Sequence, residues 1–372
     1  MPKKKISKEK SIRRTKRLTE LAICAVLLVG GGICVKGMVD RSNTVSTNSY
    51  KDKAEVEVTD PTEATTEEFD PNKIIYTSKA VKTKDKFAGN LILVNNDHQY
   101  FTNGNEDLVS IYDANVERGL EECFSTVDNT YSIRRDTYGP MADMIKAFYD
   151  QYHLNTLVIY GSYRTTAFQQ QLYDADLAET GSEESVRVAK PGFSEHETGY
   201  AFDFSLYYDD HYADYDGTGD YSWFNGNCWK YGFILRYPEN KTDVTKFQYE
   251  PWHFRYVGVP HAFYMAKNGI CLEEYEQLVE QHPYSGEHLE FTVDGGKHME
   301  VYFVASDDGS EETMVPVPSG YKYEISGNNS TGFIVTVYKD EKAEPEAAET
   351  QPASQPETQA ETAPAEETQP QE

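Results

Sequence analysis

The sequence predicts an α+β fold, and three observations support this class. The segments TLVIYGSYR at 156–164 and GYAFDFSLYY at 199–208 look like strands, and the second alternates in polarity. The segments PMADMIKAFYDQYHL at 140–154 and TTAFQQQLYDADLAET at 165–180 carry apolar residues at helical spacing. Because strands and helices follow one another without a regular βαβ order, an α+β arrangement is favoured over a parallel doubly wound sheet.

The remaining elements of the central region follow the same logic. Further strands are predicted at LILV (91–94), FILRY (233–237) and WHFRYVG (252–258), and further helices at VPHAFYMAKNG (259–269) and LEEYEQLVEQH (272–282). Thr165 or Thr166 can cap the helix at 165–180, so Arg164 falls at a strand-to-helix junction, where side chains commonly face a cleft. After Pro283 the sequence changes to short strands with Gly and Asn turns, which predicts a small β module of unknown role.

Composition divides the chain into six segments. The predicted segments are a basic cytoplasmic segment at 1–17, a transmembrane anchor at 18–39, a disordered stalk at 40–86, a folded central domain at 87–282, the β module at 283–339 and a disordered acidic tail at 340–372. The stalk is rich in Thr, Ser, Lys, Asp and Glu, and the tail repeats Glu, Thr, Pro, Gln and Ala without an aromatic residue.

The N-terminus carries the only apolar run of membrane length. Its 18 residues, LTELAICAVLLVGGGICV, extend roughly 27 Å as a helix and follow a strongly basic segment. Positive charge stays in the cytoplasm, so we expect one membrane pass with the bulk of the chain outside the cell membrane. A cleaved signal peptide is the alternative, although the run lacks an obvious A-x-A site.

Charge and cysteine content exclude two classes of protein. Lys plus Arg is 35 and Asp plus Glu is 62, and the net charge of −27 argues against a nucleic-acid binder that neutralises phosphates. Of five cysteines, Cys123, Cys228 and Cys271 lie outside the apolar run, an odd number without CxxC spacing. Neither a disulfide scaffold nor a zinc-thiolate site is expected.

Two short motifs carry residues suited to a metal site. SEHETGYAFD contains His196 and Asp203, and EPWHF contains His253. Two imidazoles and one carboxylate are a natural ligand set for Zn²⁺, and they leave a fourth position open for catalysis. Because Asp203 lies seven residues after His196 in alternating sequence, we expect one ligand on a loop and the other on a strand.

Glu250 is the expected general base. It precedes His253 by three residues, and the intervening Pro251 stiffens the segment. A carboxylate there can face the metal without ligating it and take a proton from the attacking water. A structural zinc site would not require this residue, so its presence favours an enzyme over a zinc-containing cell-wall-binding module.

Several motifs in order resemble the VanY-type D-alanyl-D-alanine carboxypeptidases. SEHETGYAFD fits Ser-x-His-x-x-Gly-x-Ala-x-Asp, EPWHFRYVG fits the Glu-Pro-Trp-His block, and the similarity runs from about Leu91 to LEEY at 272–275. The resemblance implies the zinc carboxypeptidase fold, which has a central antiparallel sheet flanked by helices. It implies one zinc ion held by His196, Asp203 and His253, with Glu250 as the base.

The same resemblance implies a substrate pocket. It places Arg164 beside the scissile carbonyl and Gln169 and Ser194 in the pocket. A guanidinium can bind a terminal carboxylate or stabilise an oxyanion, so Arg164 also suits an exopeptidase on chemical grounds. The family's usual Ser-Gly-Tyr-Arg is here GSYR at 161–164, a swap that leaves the arginine in place.

The function expected from the sequence is removal of the terminal D-alanine from peptidoglycan stem peptides by metal-activated water. An L,D-carboxypeptidase and an endopeptidase on the same polymer remain alternatives, because pocket loops rather than the metal motif decide between them. A non-catalytic wall-binding module is the alternative from another class. The sequence gives no prediction of oligomeric state.

Overall fold

The computed structural model of the protein describes residues 74–101, 104 and 106–343. Within them the chain forms fourteen strands and seven α-helices. The strands are β1 Tyr76–Lys82, β2 Leu108–Ser110, β3 Ser125–Thr126, β4 Ser132–Arg134, β5 Leu157–Gly161, β6 Ala201–Tyr208, β7 His211–Ala213, β8 Phe233–Leu235, β9 His253–Tyr256, β10 Leu289–Thr292, β11 His298–Ala305, β12 Glu312–Pro318, β13 Tyr321–Gly327 and β14 Gly332–Lys342. The helices are α1 Ile111–Arg118, α2 Arg135–Tyr152, α3 Thr166–Thr180, α4 Ser222–Asn227, α5 Thr242–Thr245, α6 Val259–Asn268 and α7 Leu272–Glu280.

A six-stranded sheet forms the centre of the molecule. Its order is β3-β5-β6-β9-β8, and β7 pairs with the far end of β6. Every pairing is antiparallel except that of β3 with β5. These two strands run parallel because the chain crosses over through α2 between them. The class is α+β as predicted, but the sheet is mixed and not wholly antiparallel.

Helix α2 covers one face of this sheet. Its residues Met141, Ile145 and Phe148 recur at helical spacing, and none of them has exposed surface. They join a cluster that includes Phe202 of β6 and Phe254 of β9. Side chains alternate along a strand, so Phe202 and Phe254 in the core direct their neighbours Asp203 and His253 to the opposite face.

The C-terminal strands form a second sheet in the order β10-β11-β14-β13. Val301 and Ile334 of this sheet belong to one apolar cluster with Leu272 and Tyr275 of α7. All four residues are buried, with at most 1% of their surface exposed. The region predicted as a β module therefore shares a hydrophobic core with the helices that follow β9.

The stalk predicted at 40–86 is wrong at its C-terminal end. Strand β1 pairs antiparallel with β12 along its whole length, from Tyr76 opposite Pro318 to Lys82 opposite Glu312. A 3-10 turn, Thr83–Phe87, continues the ordered chain. Most side chains of β1 are exposed, so its sequence lacks the apolar signal of a buried strand.

The strand predicted at 91–94 is also wrong. Leu91 to Val94 are buried, but they form no ladder in the structure. Side chains from elsewhere in the fold form hydrogen bonds with the backbone of this run. The Ser326 hydroxyl accepts a hydrogen bond from the Leu91 amide, and the Asn329 side chain donates one to the Leu93 carbonyl. An apolar run of four residues does not distinguish a strand from a buried coil of this kind.

The described residues contain no helix long and apolar enough to cross a membrane. The predicted segments 1–17 and 18–39, most of the predicted stalk and the tail beyond 343 lie outside the described residues.

Candidate metal centre

Three elements bring together the residues that the sequence predicted as metal ligands. Asp203 on β6 is the direct register partner of His253 on the antiparallel neighbour β9. His196 lies in a 3-10 turn, Glu195–Thr198, shortly before β6. All three residues are buried, with between 3% and 6% of their surface exposed. The site is thus built from a loop and two paired strands.

The three side chains are close enough to share one cation. Nε2 of His196 lies 3.1 Å from Oδ2 of Asp203, and Nδ1 of His253 lies 3.0 Å from Oδ1 of the same carboxylate. Their potential ligand atoms all lie within 4.8 Å of one another. Ligands on a tetrahedral zinc ion are roughly 3.4 Å apart, so only small shifts separate this arrangement from a coordination shell. Oδ1 of Asp203 is buried and has no hydrogen-bond partner among the described residues, which also fits a metal ligand.

His196 is oriented for ligation by its second ring nitrogen. Its Nδ1 lies 2.9 Å from the carbonyl oxygen of Ser162, an acceptor that requires a proton on Nδ1. The lone pair is then on Nε2, which faces Asp203. Burial and the nearby charge of Arg164 lower the pKa of His196 to about 4, so its imidazole is neutral at neutral pH.

The carboxylates at and around the other two ligands favour a positive charge at this position, either a proton or a metal ion. Burial opposes ionisation of Asp203, but the neighbouring histidines outweigh this effect and hold its pKa well below the usual value. Burial likewise opposes the charged form of His253, yet its contacts with the carboxylates of Asp203 and Glu195 raise its pKa to about 9. A metal ion held by these residues would replace the proton on Nδ1 of His253.

Glu250 lies beside the ligands without belonging to their closest set. Its Oε2 is 3.6 Å from Nδ1 of His253, and 15% of its side-chain surface is exposed toward the cleft. Burial raises the pKa of Glu250 to about 7, although the charge of His253 acts in the opposite direction. A carboxylate with a pKa near neutrality at the edge of a cleft is suited to take and return a proton.

Arg164 connects the candidate ligands to helix α3. Its Nη2 lies 3.0 Å from Oδ2 of Asp203, and its Nη1 donates to Oε1 of Gln169 at 3.4 Å. Gln169 in turn donates from Nε2 to the carbonyl of Ala189 at 2.8 Å. Thr165 caps α3 through its hydroxyl, so Arg164 lies at the strand-to-helix junction that the sequence indicated. The Gln169 side chain therefore forms hydrogen bonds with Arg164 and with the backbone of Ala189, and not with the three candidate ligands.

The glycine of GSYR has a structural reason to stand at 161. Gly161 is opposite Asp203 in the β5–β6 pairing, where the register is irregular. A Cβ at this position would collide with Oδ2 of Asp203 and lie 2.9 Å from Nη2 of Arg164. The contact between these two charged groups therefore requires glycine here, while the next residue, Ser162, supplies the carbonyl for His196.

The site opens into a cleft of about 1120 Å³. Ser194 is buried in its wall, and its carbonyl accepts a hydrogen bond from the Glu197 amide at 3.1 Å. Much of the remaining wall is aromatic, with side chains contributed by Tyr160, Phe204, Tyr212, Tyr215, Tyr237, Phe247, Tyr249 and Trp252. A cleft of this size accommodates a peptide segment of a few residues.

Sequence reasoning missed Glu195, although it lies between Ser194 and His196 in the motif. Its side chain is fully buried, and Oε2 lies 3.5 Å from Nε2 of His253. Burial opposes its ionisation, but Arg236 and Arg255 outweigh burial and lower the pKa of Glu195 below its ordinary range. The signal that could have indicated it is an acid flanking a metal ligand, followed by two arginines within strand-like apolar sequence.

Comparison with known proteins identifies relatives. A family model described as VanY, D-alanyl-D-alanine carboxypeptidase, matches residues 131–259. A D-alanyl-D-alanine carboxypeptidase of Enterococcus faecium is 30% identical over 260 residues, which make up 70% of this chain and 78% of that protein. A bifunctional D-Ala-D-Ala dipeptidase and D-Ala-D-Ala carboxypeptidase of Enterococcus gallinarum, VanXYC, is 42% identical over 127 residues, or 32% of this chain and 65% of that protein.

A solved structure has a similar fold over most of its length. The vancomycin resistance D,D-dipeptidase VanXYg, in complex with a D-Ala-D-Ala phosphinate analog, aligns with a TM-score of 0.61 and 29% sequence identity. The alignment covers 71% of this chain and 99% of that protein. The fold shared with this structure includes more of the chain than the region that the family model matches.

Proposed function

The chain belongs to the VanY family of D-alanyl-D-alanine carboxypeptidases, and from this premise we propose that it is a zinc-dependent D,D-carboxypeptidase acting on peptidoglycan stem peptides. The observation that carries the proposal is the convergence of His196, Asp203 and His253, with Glu250 beside them, at an open cleft. These residues form a ligand set with an adjacent carboxylate that is placed to act as a base. A binding module has no need of that carboxylate.

The ligand set supports zinc as the cofactor. Two imidazoles and one carboxylate match the ligands of catalytic zinc sites, and a hard cation such as Mg²⁺ prefers oxygen ligands throughout. When bound, zinc supplies Lewis-acid chemistry, polarising a carbonyl group and lowering the pKa of water. His196 and His253 present their nitrogens, and Asp203 contributes the negative charge that a divalent ion requires.

Two residues would handle the proton and the developing charge. Glu250, with a pKa of about 7, accepts a proton from the attacking water and returns it to the leaving amine of D-alanine. Arg164 lines the same cleft as Glu250, and its guanidinium is held by Asp203, with Nη2 3.0 Å from Oδ2. It can bind the terminal carboxylate of the substrate or stabilise the oxyanion that forms at the scissile carbonyl. Ser194 and Gln169 complete the substrate pocket in this proposal.

The direct test is incubation of the purified full-length chain, in detergent, with a stem pentapeptide ending in D-Ala-D-Ala. We expect release of one D-alanine, detected as loss of a single alanine residue by mass spectrometry. A chelator should abolish the release and added Zn²⁺ should restore it, because the Lewis acid that activates the attacking water is the metal ion.

Other products would indicate the alternatives. Release of intact D-Ala-D-Ala would make the protein a dipeptidase, and action on a tetrapeptide but not a pentapeptide would make it an L,D-carboxypeptidase. Cleavage of cross-linked muropeptides between stems would indicate an endopeptidase. If none of these substrates changes in the presence of zinc, the enzymatic proposal is wrong.

The proposal includes a location outside the cell membrane. The support is the basic segment at 1–17 followed by the predicted anchor at 18–39, both outside the described residues. We expect the full chain to sediment with membranes, and an external protease to remove a C-terminal epitope from spheroplasts while sparing an N-terminal one. Recovery of the full chain in the soluble fraction, or of a mature N-terminus beyond residue 39, would contradict the anchor.

A further inference from the structure

A buried network of four charges lies behind the metal ligand His253. Glu195 accepts hydrogen bonds through Oε1 from Nε of Arg236 at 2.7 Å and from Nη1 of Arg255 at 2.8 Å. Arg236 also pairs with both carboxylate oxygens of Glu273, at 2.9 Å and 2.7 Å. The two arginines have no exposed surface. Two positive and two negative groups balance, which is the condition for burying charges at tolerable cost.

The second oxygen of Glu195 points at the ligand. Its Oε2 lies 3.5 Å from Nε2 of His253, and within the described part of the chain neither atom has a hydrogen-bond partner. A shift of about 0.5 Å would bring the two atoms to an ordinary hydrogen-bond distance. No wider rearrangement is needed, because Oε1 is already held by the two arginines.

This arrangement determines which nitrogen of His253 carries the proton. An ionised carboxylate only accepts hydrogen bonds, so its neighbour Nε2 must be the protonated nitrogen. In the neutral imidazole that binds a metal ion, the lone pair is then on Nδ1, the atom that faces Asp203 at 3.0 Å. We propose that Glu195 is a positioning residue that fixes the tautomer and ring orientation of His253 for zinc binding, and that Arg236 and Arg255 hold it there. This inference rests on the proposed function, since it assumes that the site binds zinc.

The two arginines attach Glu195 to distant parts of the fold. Arg255 follows His253 by two residues on β9, and its Nη2 donates to the carbonyls of Asn90 and Ile92 at 3.0 Å and 2.9 Å. Arg236 reaches Glu273 in the first turn of α7. The orientation of His253 is therefore fixed by the segment near residue 90 and by α7 as well as by its own strand. A carboxylate or carbonyl behind a ligating histidine is the usual way in which proteins orient such ligands.

Substitution of Glu195 by glutamine separates positioning from general stabilisation. The single amide oxygen of Glu195→Gln must accept from both arginines, so its NH₂ group faces His253. This group donates, which forces Nε2 to accept and places the proton of His253 on Nδ1, at the metal position. Glu300→Gln is the matched control, because Glu300 is also buried but pairs with His288 in the C-terminal sheet, outside the network behind His253.

The affinity of each full-length protein for Zn²⁺ is measured by competition with a chromophoric chelator, and the unfolding temperature of the metal-free protein is measured alongside. Glu195→Gln should bind zinc about 10- to 100-fold more weakly than the unsubstituted protein. Glu300→Gln should keep zinc affinity within about twofold even if its unfolding temperature falls by the same amount. Equal affinity of Glu195→Gln and the unsubstituted protein, or an equal loss in both variants, would overturn the positioning role.

A second measurement does not require that Glu195→Gln folds. In the zinc-loaded, unsubstituted protein labelled with ¹⁵N at histidine, the signals of His253 should show a proton on Nε2 and zinc on Nδ1, with His253→Gln providing the assignment. The opposite pattern overturns the inference. If the unsubstituted protein binds no zinc, the proposed function fails; if it binds zinc and only the Glu195 results differ from expectation, this inference alone fails.

Discussion

Glu250→Gln is expected to lower kcat/KM for release of D-alanine by about 10²- to 10⁴-fold, the usual contribution of a general base. Glutamine keeps the size and hydrogen-bonding shape of the residue but cannot accept a proton from water. Zinc affinity should stay close to that of the unsubstituted protein, because Oε2 of Glu250 lies 3.6 Å from His253 and outside the closest ligand set. Steady-state kinetics on a stem pentapeptide, with a zinc titration of the same sample, measures both quantities.

The control for this substitution is Glu184→Gln. Glu184 is exposed and forms a surface ion pair with Lys190 at 2.9 Å, so the same chemical change there should leave the kinetics unaltered. Unimpaired release of D-alanine by Glu250→Gln would show that another group takes the proton. A combined loss of zinc and activity would instead make Glu250 a ligand.

The pH profile of the unsubstituted enzyme gives a further check on the same residue. Burial raises the pKa of Glu250 to about 7, and the base must be deprotonated to act. Activity should therefore fall about tenfold per pH unit as pH decreases below that pKa. A cation on the neighbouring ligands favours the carboxylate, so the acid limb is expected at or below pH 7 and not above it.

The ligand set was predictable from sequence because local rules determine most of it. Side chains alternate along β6, so Asp203 and Phe202 lie on different faces of the sheet. The apolar Phe202 indicates which face packs in the core. What alternation does not give is the pairing of β6 with β9, which lies some fifty residues further along the chain. For that step the motif spacing shared with a known family provided the information.

The errors and omissions have a common cause in long-range contacts. Glu195 is adjacent to a predicted ligand, yet its partners Arg236 and Arg255 are 41 and 60 positions away, so no short motif reveals its role. Strand β1 was assigned to a stalk because its exposed residues look like a linker, and only its pairing with β12, more than two hundred residues later, orders it. The composition of a segment does not show which distant strand or helix pairs with it or packs against it.

Asp203→Asn is expected to have the second large effect, on metal binding itself. The carboxylate lies between both histidines, at 3.1 Å from His196 and 3.0 Å from His253, and supplies the only negative charge in the ligand set. An amide of the same shape removes that charge, and a first ligand contributes more than the 10- to 100-fold typical of residues behind it. Zinc affinity should therefore fall by more than about 100-fold, and D-alanine release should be undetectable at zinc concentrations that saturate the unsubstituted enzyme.

The Asp203 substitution also removes the carboxylate partner of Arg164, so structural damage must be separated from loss of the metal. Asp143→Asn is a suitable control, because Asp143 of helix α2 forms an exposed ion pair with Arg118 of helix α1, and neither residue lines the cleft. Both variants should unfold cooperatively in the metal-free state, and only Asp203→Asn should fail to gain thermal stability when Zn²⁺ is added. If Asp203→Asn gains as much stability from zinc as the unsubstituted protein does, the ion binds elsewhere and the metal centre described for these three residues is wrong.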